Sequence, residues 1–455
     1  MSMSNNIEIR IDGWLPDGEG PDPVARTNAE VFVGIGDSCA TEVQDRQANT
    51  VRQTIRVSAY LFATWLASNW WRLTLEPERE RFADDSARLD WKLSHQSGAI
   101  GGGYLWPPLT FASDRFRVSV RSDASASFMR PELSPVRYLN TFESIVNVEA
   151  LEGAIEAFVG AVISRLDALS LRATPLHQLW KEVATERRDP KLCAKRSIEA
   201  MLGLDPDTDA NLIGAIQTWE KKAGREAVYE IAAAMSVHKD REIFSQTDAA
   251  IRGVTTFARI EQYSAIQPAI ANLGTLTTHI PWELGKRVAE CLRRIWNLGS
   301  EPILNAALGA MLNVEETTLK SDGAPTPLSV GVRGGNEDQL KLVLRPLENP
   351  PGRRFEIARL LGDFLLSDIQ TRWLPATTAL TARQKFQRAF AAEFLCPSEA
   401  LKMRFQTEVG DSDEIEMKIS KIASEFGVSQ RMVRHHLDNR GVFRGIASGL
   451  PVLAA

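Results

Sequence analysis

Two stretches near the end of the chain decide the fold of this part: RRFEIARLLGDFLL at residues 353–366 and QKFQRAFAAEFLCP at residues 384–397. In the first stretch apolar residues recur every three or four positions, at Phe355, Ala358, Leu361 and Leu365. This spacing predicts an amphipathic helix. The second stretch is also helical in pattern and is closed by Pro397, because proline cannot continue a helix. The sequence therefore predicts two helices joined by residues 367–383.

Both stretches resemble the site helices of the ImmA/IrrE family of zinc-dependent metallopeptidases, which run approximately RRFTLAHELGHLLL and ExxANxFAAxLLMP. The matching positions are Arg353, Arg354, Phe355, Ala358, Leu361, Gly362, Leu365 and Leu366 in the first helix, and Phe390, Ala391, Ala392, Leu395 and Pro397 in the second. Weaker similarity begins near Pro281, so the resemblance spans roughly residues 280–443. It implies a zincin-like domain.

The resemblance does not extend to the family's chemistry. In HExxH, two histidines bind zinc and the glutamate acts as general base on the metal-bound water. Arg359, Leu360 and Asp363 stand at those three positions, and Gln384 stands where the family has a third ligand, a glutamate. A guanidinium is a permanent cation, leucine cannot take a proton and glutamine carries no charge. These four residues are therefore degenerate former metal and catalytic positions.

The loss of the motif sets the expectations for the site. We expect no catalytic residue, no bound metal and no cofactor. The spacing of Arg359 and Asp363 places them one helical turn apart, so we expect them to form an ion pair in the vacated metal site.

A third stretch, ISKIASEFGVSQRMVRHHLDN at residues 419–439, has the pattern of a helix-turn-helix. Ala423 lets two helices cross closely, Gly427 suits the turn, and Ser429 can cap the second helix. The candidate DNA-contacting residues on that helix are Gln430, Arg431, Arg434 and His435. However, residues 412–445 carry a net charge of only +1, which leaves two interpretations open: DNA contact, or packing on the zincin-like domain.

Composition places the chain among folded proteins. Its 455 residues are 44% hydrophobic and 24% charged, with a formal net charge of −5, so the whole molecule offers no field that attracts nucleic acid or an anionic membrane. The four cysteines form no CxxC pair, which favours a reducing compartment. No export signal and no membrane span is apparent, and we expect a cytoplasmic protein that is bacterial or phage-related.

The pattern along the chain predicts an α+β, mostly helical protein. A mixed α/β N-terminal region covers residues 1–148, with a strand at residues 30–36 and a buried helix over residues 51–75. A helical region covers 149–270, the zincin-like domain 280–410 and the helix-turn-helix-like segment 411–445. The family resemblance does not reach the N-terminal region.

Three hypotheses follow for the function. The leading one is a catalytically inactive, ImmA/IrrE-like pseudopeptidase that binds a protein partner, a regulator or a toxin-antitoxin component, in a regulatory, stress-response or mobile-element circuit. The alternative is a DNA-binding transcriptional regulator that uses residues 419–439. An active peptidase is the least favoured, because no nucleophile and base stand at a diagnostic spacing.

Overall fold

The computed structural model describes residues 2–3, 6–16, 20–125, 134–238, 241–255, 257–320, 323–347, 349–405 and 412–438. The chain forms two compact units, Met1–Ile213 with Ser236–His238, and Gly214–Met235 with Lys239–Ala455. Helices hold 53% of the chain and strands 17%, so the expected α+β, mostly helical class is confirmed. Within the described residues no helix is both long enough and apolar enough to cross a membrane.

The first unit combines small sheets with helices. Its strands are β1 (Ser2–Met3), β2 (Ile7–Trp14), β3 (Asn28–Ile35), β4 (Ser38–Cys39), β5 (Val43–Asp45), β6 (Thr50–Arg52), β7 (Ile55–Ser58), β8 (Leu109–Ser113), β9 (Arg117–Ser122), β10 (Val136–Tyr138) and β11 (Phe142–Asn147). Its helices are α1 (Pro23–Arg26), α2 (Ala59–Ser68), α3 (Trp70–Leu75), α4 (Asp85–His95), α5 (Val148–Ala168), α6 (Pro175–Arg188) and α7 (Pro190–Leu202).

The sheets of this unit have the strand orders β1-β11-β9-β8, β10-β5-β6 and β2-β3-β4, with β7 also paired to β3. Helices α2 and α5 pack together over a core that includes Phe62, Leu66 and Phe158. The predicted helix over residues 51–75 is wrong in its first part. Ile55 lies in β7 and pairs with Val31 of β3, because β-branched residues alternating with polar ones favour a strand there.

The second unit contains the two helical stretches at residues 353–366 and 384–397. Helices α8 (Ala210–Gln217) and α10 (Arg225–His238) each have residues in both units. The others are α9 (Glu220–Ala223), α11 (Ile243–Gly253), α12 (Tyr263–Ala271), α13 (Pro281–Ile295), α14 (Asn305–Leu312), α15 (Glu316–Lys320), α16 (Pro350–Leu366), α17 (Ala382–Leu395), α18 (Ser398–Phe405), α19 (Ser412–Phe426) and α20 (Gln430–Asp438). The strands are β12 (Phe257–Arg259), β13 (Ser329–Arg333), β14 (Gln339–Val343) and β15 (Trp373–Ala376).

The four strands of this unit form an antiparallel sheet in the order β12-β14-β13-β15, and α16 packs against it. The two predicted helices are α16 and α17, which pack on each other. Their crossing depends on Gly362, since a Cβ there would lie 2.4 Å from a ring carbon of Phe390. The described residues of α19 and α20 continue the same hydrophobic core through Ile422, Phe426 and Leu437.

Candidate functional site

The position on α16 that aligns with the family's first zinc ligand is occupied by the side chain of Arg359. Its Nη2 donates to the side-chain oxygen of Gln384 at 2.6 Å and to the carbonyl of Thr377 at 2.7 Å. Its Nη1 donates to Glu356 at 3.3 Å. Arg359 is almost fully buried; burial lowers the pKa of its guanidinium, and the negative charge of Glu356 offsets part of this effect. A buried guanidinium therefore links positions 359 and 384, where the resembled family has its first and third metal ligands.

Asp363, where the resembled family has its second histidine, pairs with a different arginine. The carboxylate accepts two hydrogen bonds of 2.8 Å from Nε and Nη2 of Arg383 on α17, and others from Gln387 and Ser367 at 2.9 Å each. The predicted ion pair between Arg359 and Asp363 is therefore wrong. The guanidinium fork of Arg383 reaches the carboxylate from the facing helix in a bidentate geometry, which is the stronger arrangement.

Gln384, where the resembled family has its third ligand, uses all of its hydrogen-bonding groups. Its side-chain oxygen accepts from Arg359 and from the backbone amide of Thr377 at 2.8 Å. Its Nε2 donates to the carbonyl of Pro375 and to the carboxylate of Glu230, each at 2.9 Å. Such a fully satisfied amide is stable in a dry interior, and it has no lone pair left for a metal.

Sequence analysis did not assign Glu230 to this site. It lies on α10 and is fully buried, where its carboxylate also accepts from the hydroxyl of Thr381 at 2.6 Å. Arg383, Gln387 and Thr381 were missed as well. A buried aspartate on α16 needs a cationic partner. Arg383 and Gln387 stand one turn apart on the helix that faces Asp363, and this spacing is a sequence signal for their contact with its carboxylate.

Side chains close the outer edge of strand β15. The amide of Arg333 donates to the carbonyl of Arg372, so residues 373, 375 and 377 direct their backbone groups away from β13. The carbonyl of Pro375 accepts from both Gln384 and Gln387, and proline offers no amide hydrogen. The amide and carbonyl of Thr377 bond to Gln384 and Arg359. An extended peptide therefore cannot add to this edge at residues 375–377.

These residues do not fit a zinc ion. Of the four positions only Asp363 has a side chain of the kind that commonly binds zinc, and its carboxylate is already engaged by Arg383. Within the residues that the structure describes, no group of three or more His, Cys, Asp and Glu side chains is placed to hold a metal. Leu360 is fully buried in the hydrophobic core. Its hydrocarbon side chain cannot take a proton, so it cannot serve as a general base.

Residues 329–438 match the model of the IrrE N-terminal-like domain, Peptidase_M78. No curated protein and no solved structure matches the chain. The match runs from β13 to the end of α20, and therefore includes both site helices and the two helices that follow them. The rest of the predicted resemblance, residues 280–328 and 439–443, lies outside it.

The two last helices of the IrrE N-terminal-like match are joined by a turn at Gly427, whose φ is +62°. Val428 and Val433 are buried against the domain core. His436 lies 3.3 Å from the carboxylate of Glu393 and 3.1 Å from the hydroxyl of Ser398. These contacts dock α20 on α17 and α18, so packing on the domain is one role of this segment.

The candidate DNA-contacting residues lie on the opposite face of α20. Gln430, Arg431, Arg434 and His435 are all exposed. Arg434 forms an ion pair with Glu416 of α19, and Gln430 donates to the hydroxyl of Ser420. Residues 439–445 of the predicted segment lie outside the described residues. Whether this face contacts DNA stays a prediction.

Proposed function

We propose that the IrrE N-terminal-like domain of this chain is catalytically silent and that the protein acts by binding another protein in a regulatory, stress-response or mobile-element circuit. One observation supports the absence of catalysis. The guanidinium of Arg359 donates to Gln384 and Thr377 at the place where two metal ligands would converge. A permanent cation at that place opposes a dication, and no other ligand set compensates within the described residues.

Two further observations support a binding role over hydrolysis or general nucleic-acid binding. The edge of β15 is covered at residues 375–377, which removes one surface on which a peptide substrate could align. The net charge of −5 gives the molecule no overall attraction for nucleic acid. A protein partner fits both observations, and the first unit, which lies outside the family match, would supply the specificity.

The metal content of the full chain tests the silent site. The protein is purified without chelators and without a histidine tag, and its zinc is measured by inductively coupled plasma mass spectrometry. We expect far less than one zinc per chain. One tightly held metal per chain would overturn the proposal, and peptidase assays would then come first.

A rebuilt site provides the positive control. The variant carrying Arg359→His, Leu360→Glu, Asp363→His and Gln384→Glu restores the family's ligand set. We expect it to take up zinc in an equilibrium titration that leaves the natural chain unloaded. Glu230 also lies against position 384, so a second version that adds Glu230→Gln relieves the repulsion between two buried carboxylates.

Partner binding needs its own test. Chemical crosslinking in cells of the source organism, followed by capture of the full chain, is expected to recover one regulator or toxin-antitoxin protein in near-stoichiometric amount. Binding of that protein is then measured with both components purified. Recovery of abundant proteins alone, or failure of the purified pair to associate, contradicts the binding role.

A second candidate function is DNA binding through α20. It is favoured by the exposure of Gln430, Arg431, Arg434 and His435 on one helix. A mobility-shift assay at low salt tests it, with Arg431→Ala as the main variant, because no ion pair with a described residue holds this side chain. A shift that Arg431→Ala and Arg434→Ala leave unchanged would exclude α20 as the contact helix.

A further inference from the structure

An apolar pocket of about 580 Å³ lies in the second unit, apart from the degenerate metal site. Helix α11 forms one wall, the edge of the sheet at β12 and β14 forms another, and the segment that leads into β13 closes a third side. None of its lining residues belongs to the network of Arg359, Asp363, Gln384 and Glu230.

The pocket has a buried floor and an open mouth. Ile357 of α16 and Ala258 of β12 lie on the floor and are at most 1% exposed. Ala249, Gly253 and Thr255 at the mouth are exposed. Small residues line much of the wall, so the space exists because no large side chain projects into it. A ligand can therefore enter from solvent and reach the hydrophobic core.

The lining defines the chemistry of the occupant. Among the described residues that line the pocket, only Thr255 has a polar side chain and none has a charged one. A charged molecule would lose its hydration there without gaining a counter-charge, whereas an apolar one would exchange poorly satisfied water for contact with the lining. The volume lies in the range of pockets that enclose one small molecule. We propose that this pocket binds a neutral, apolar small molecule.

A neutral fluorescent probe, N-phenyl-1-naphthylamine, tests the proposal on the full chain. We expect saturable binding of one probe per chain, displacement by 1-decanol, and much weaker displacement by decanoate, whose charge no described side chain of the lining matches. Excess 1-decanol is expected to raise the melting temperature, because a ligand that binds only the folded state stabilises it.

Three variants locate the binding. Ala249→Trp places a large ring at the mouth and is expected to weaken probe binding by at least about tenfold. Ala324→Phe fills the pocket from the opposite wall and serves if the first variant does not fold by circular dichroism. The matched control is Ala307→Trp, on an exposed position of α14 that does not line the pocket, and it is expected to bind the probe like the natural chain.

Each other outcome overturns the proposal. If probe binding is not saturable, the pocket holds no such ligand. The same follows if Ala249→Trp and Ala324→Phe both bind the probe as tightly as the natural chain. If Ala307→Trp weakens probe binding as much as the pocket variants do, the probe binds elsewhere. Equal displacement by decanoate contradicts the neutral class of ligand. The result does not depend on the proposed silent metal site, which the zinc measurement tests separately.

Discussion

The side-chain amide of Gln384 donates to the carboxylate of Glu230 at 2.9 Å, although 154 positions separate the two residues. This contact brings α10 into the site that α16 and α17 form. It also explains how a carboxylate with no exposed surface is stabilised, since Thr381 donates to the same oxygen. The side chains of Arg359, Gln384 and Glu230 thus belong to one buried polar network that involves three helices.

Removing Glu230 is expected to destabilise the second unit. Glu230→Ala leaves the amide of Gln384 and the hydroxyl of Thr381 without their common acceptor in a buried place. The cost of such unsatisfied donors is about 2–4 kcal/mol in the free energy of unfolding. Urea unfolding followed by circular dichroism measures it. Glu290→Ala, at a surface pair on α13, is the control and should change stability by less than about 0.5 kcal/mol.

Asp363 is expected to contribute more to the free energy of unfolding than exposed aspartates do. Asp363→Asn keeps the shape of the side chain but leaves the guanidinium of Arg383 buried without its negative partner, which should cost about 3–5 kcal/mol. The same substitution at the exposed Asp438 is the matched control and should cost less than about 0.5 kcal/mol. Equal effects at both positions would show that the buried pair adds no stability.

Much of the second unit could be predicted from sequence because its signals are local. Periodicity placed α16 and α17 to within a few residues, and the resemblance drew attention to Arg359, Leu360, Asp363 and Gln384 on them. The partner of Asp363 could not be predicted with the same rule, since spacing along one helix favoured Arg359, whereas the bidentate contact comes from Arg383 across the interface.

No local sequence pattern predicts that α10 contributes a side chain to the site. Glu230 sits in a helix whose sequence reads as an ordinary buried helix, and only the packing of the chain shows that its carboxylate meets Gln384. In the first unit, Ile55 followed helical spacing and still formed a strand, because pairing with β3 outweighed the periodicity of the neighbouring helix. Contacts between distant segments decide both cases.

Stability should depend on pH through the contact between Glu393 and His436. Burial raises the pKa of Glu393, but hydrogen bonds from His436 and Ser398 outweigh this effect and hold it below its ordinary value of 4.5. The charged carboxylate is therefore favoured in the folded state. Its stabilisation is complete above pH 4.5 and is lost as the pH falls through the lower pKa of the folded state.

The variant Glu393→Gln tests this pH dependence. At pH 7 it should be about 1–3 kcal/mol less stable than the natural chain, because hydrogen bonds to a charged group are lost. The difference should shrink below pH 4.5, where the natural carboxylate also becomes neutral. Glu399→Gln, at an exposed pair with Lys402, should follow the natural chain at every pH. A difference that stays constant with pH would contradict the assignment.

Gly427 should be sensitive to substitution for two separate reasons. Its φ of +62° disfavours any residue with a Cβ, which costs about 1 kcal/mol. A Cβ there would also lie 3.3 Å from Nε of Arg354, whose guanidinium is held by Ile303 and Asn305 and cannot easily move. Gly427→Ala should therefore cost more than the backbone term alone, as measured by urea unfolding of the full chain.

Gly299→Ala separates the two reasons. Its φ is +53°, and an added Cβ meets nothing within 4 Å, so this variant reports the backbone cost by itself. The excess loss in Gly427→Ala measures how firmly Arg354 holds the turn between α19 and α20. If both variants lose the same stability, Arg354 yields to the new methyl group and the turn is not held by it. A clear excess would mean that the turn between α19 and α20 is fixed on α16 at this point, which limits how far α20 could move toward a DNA groove.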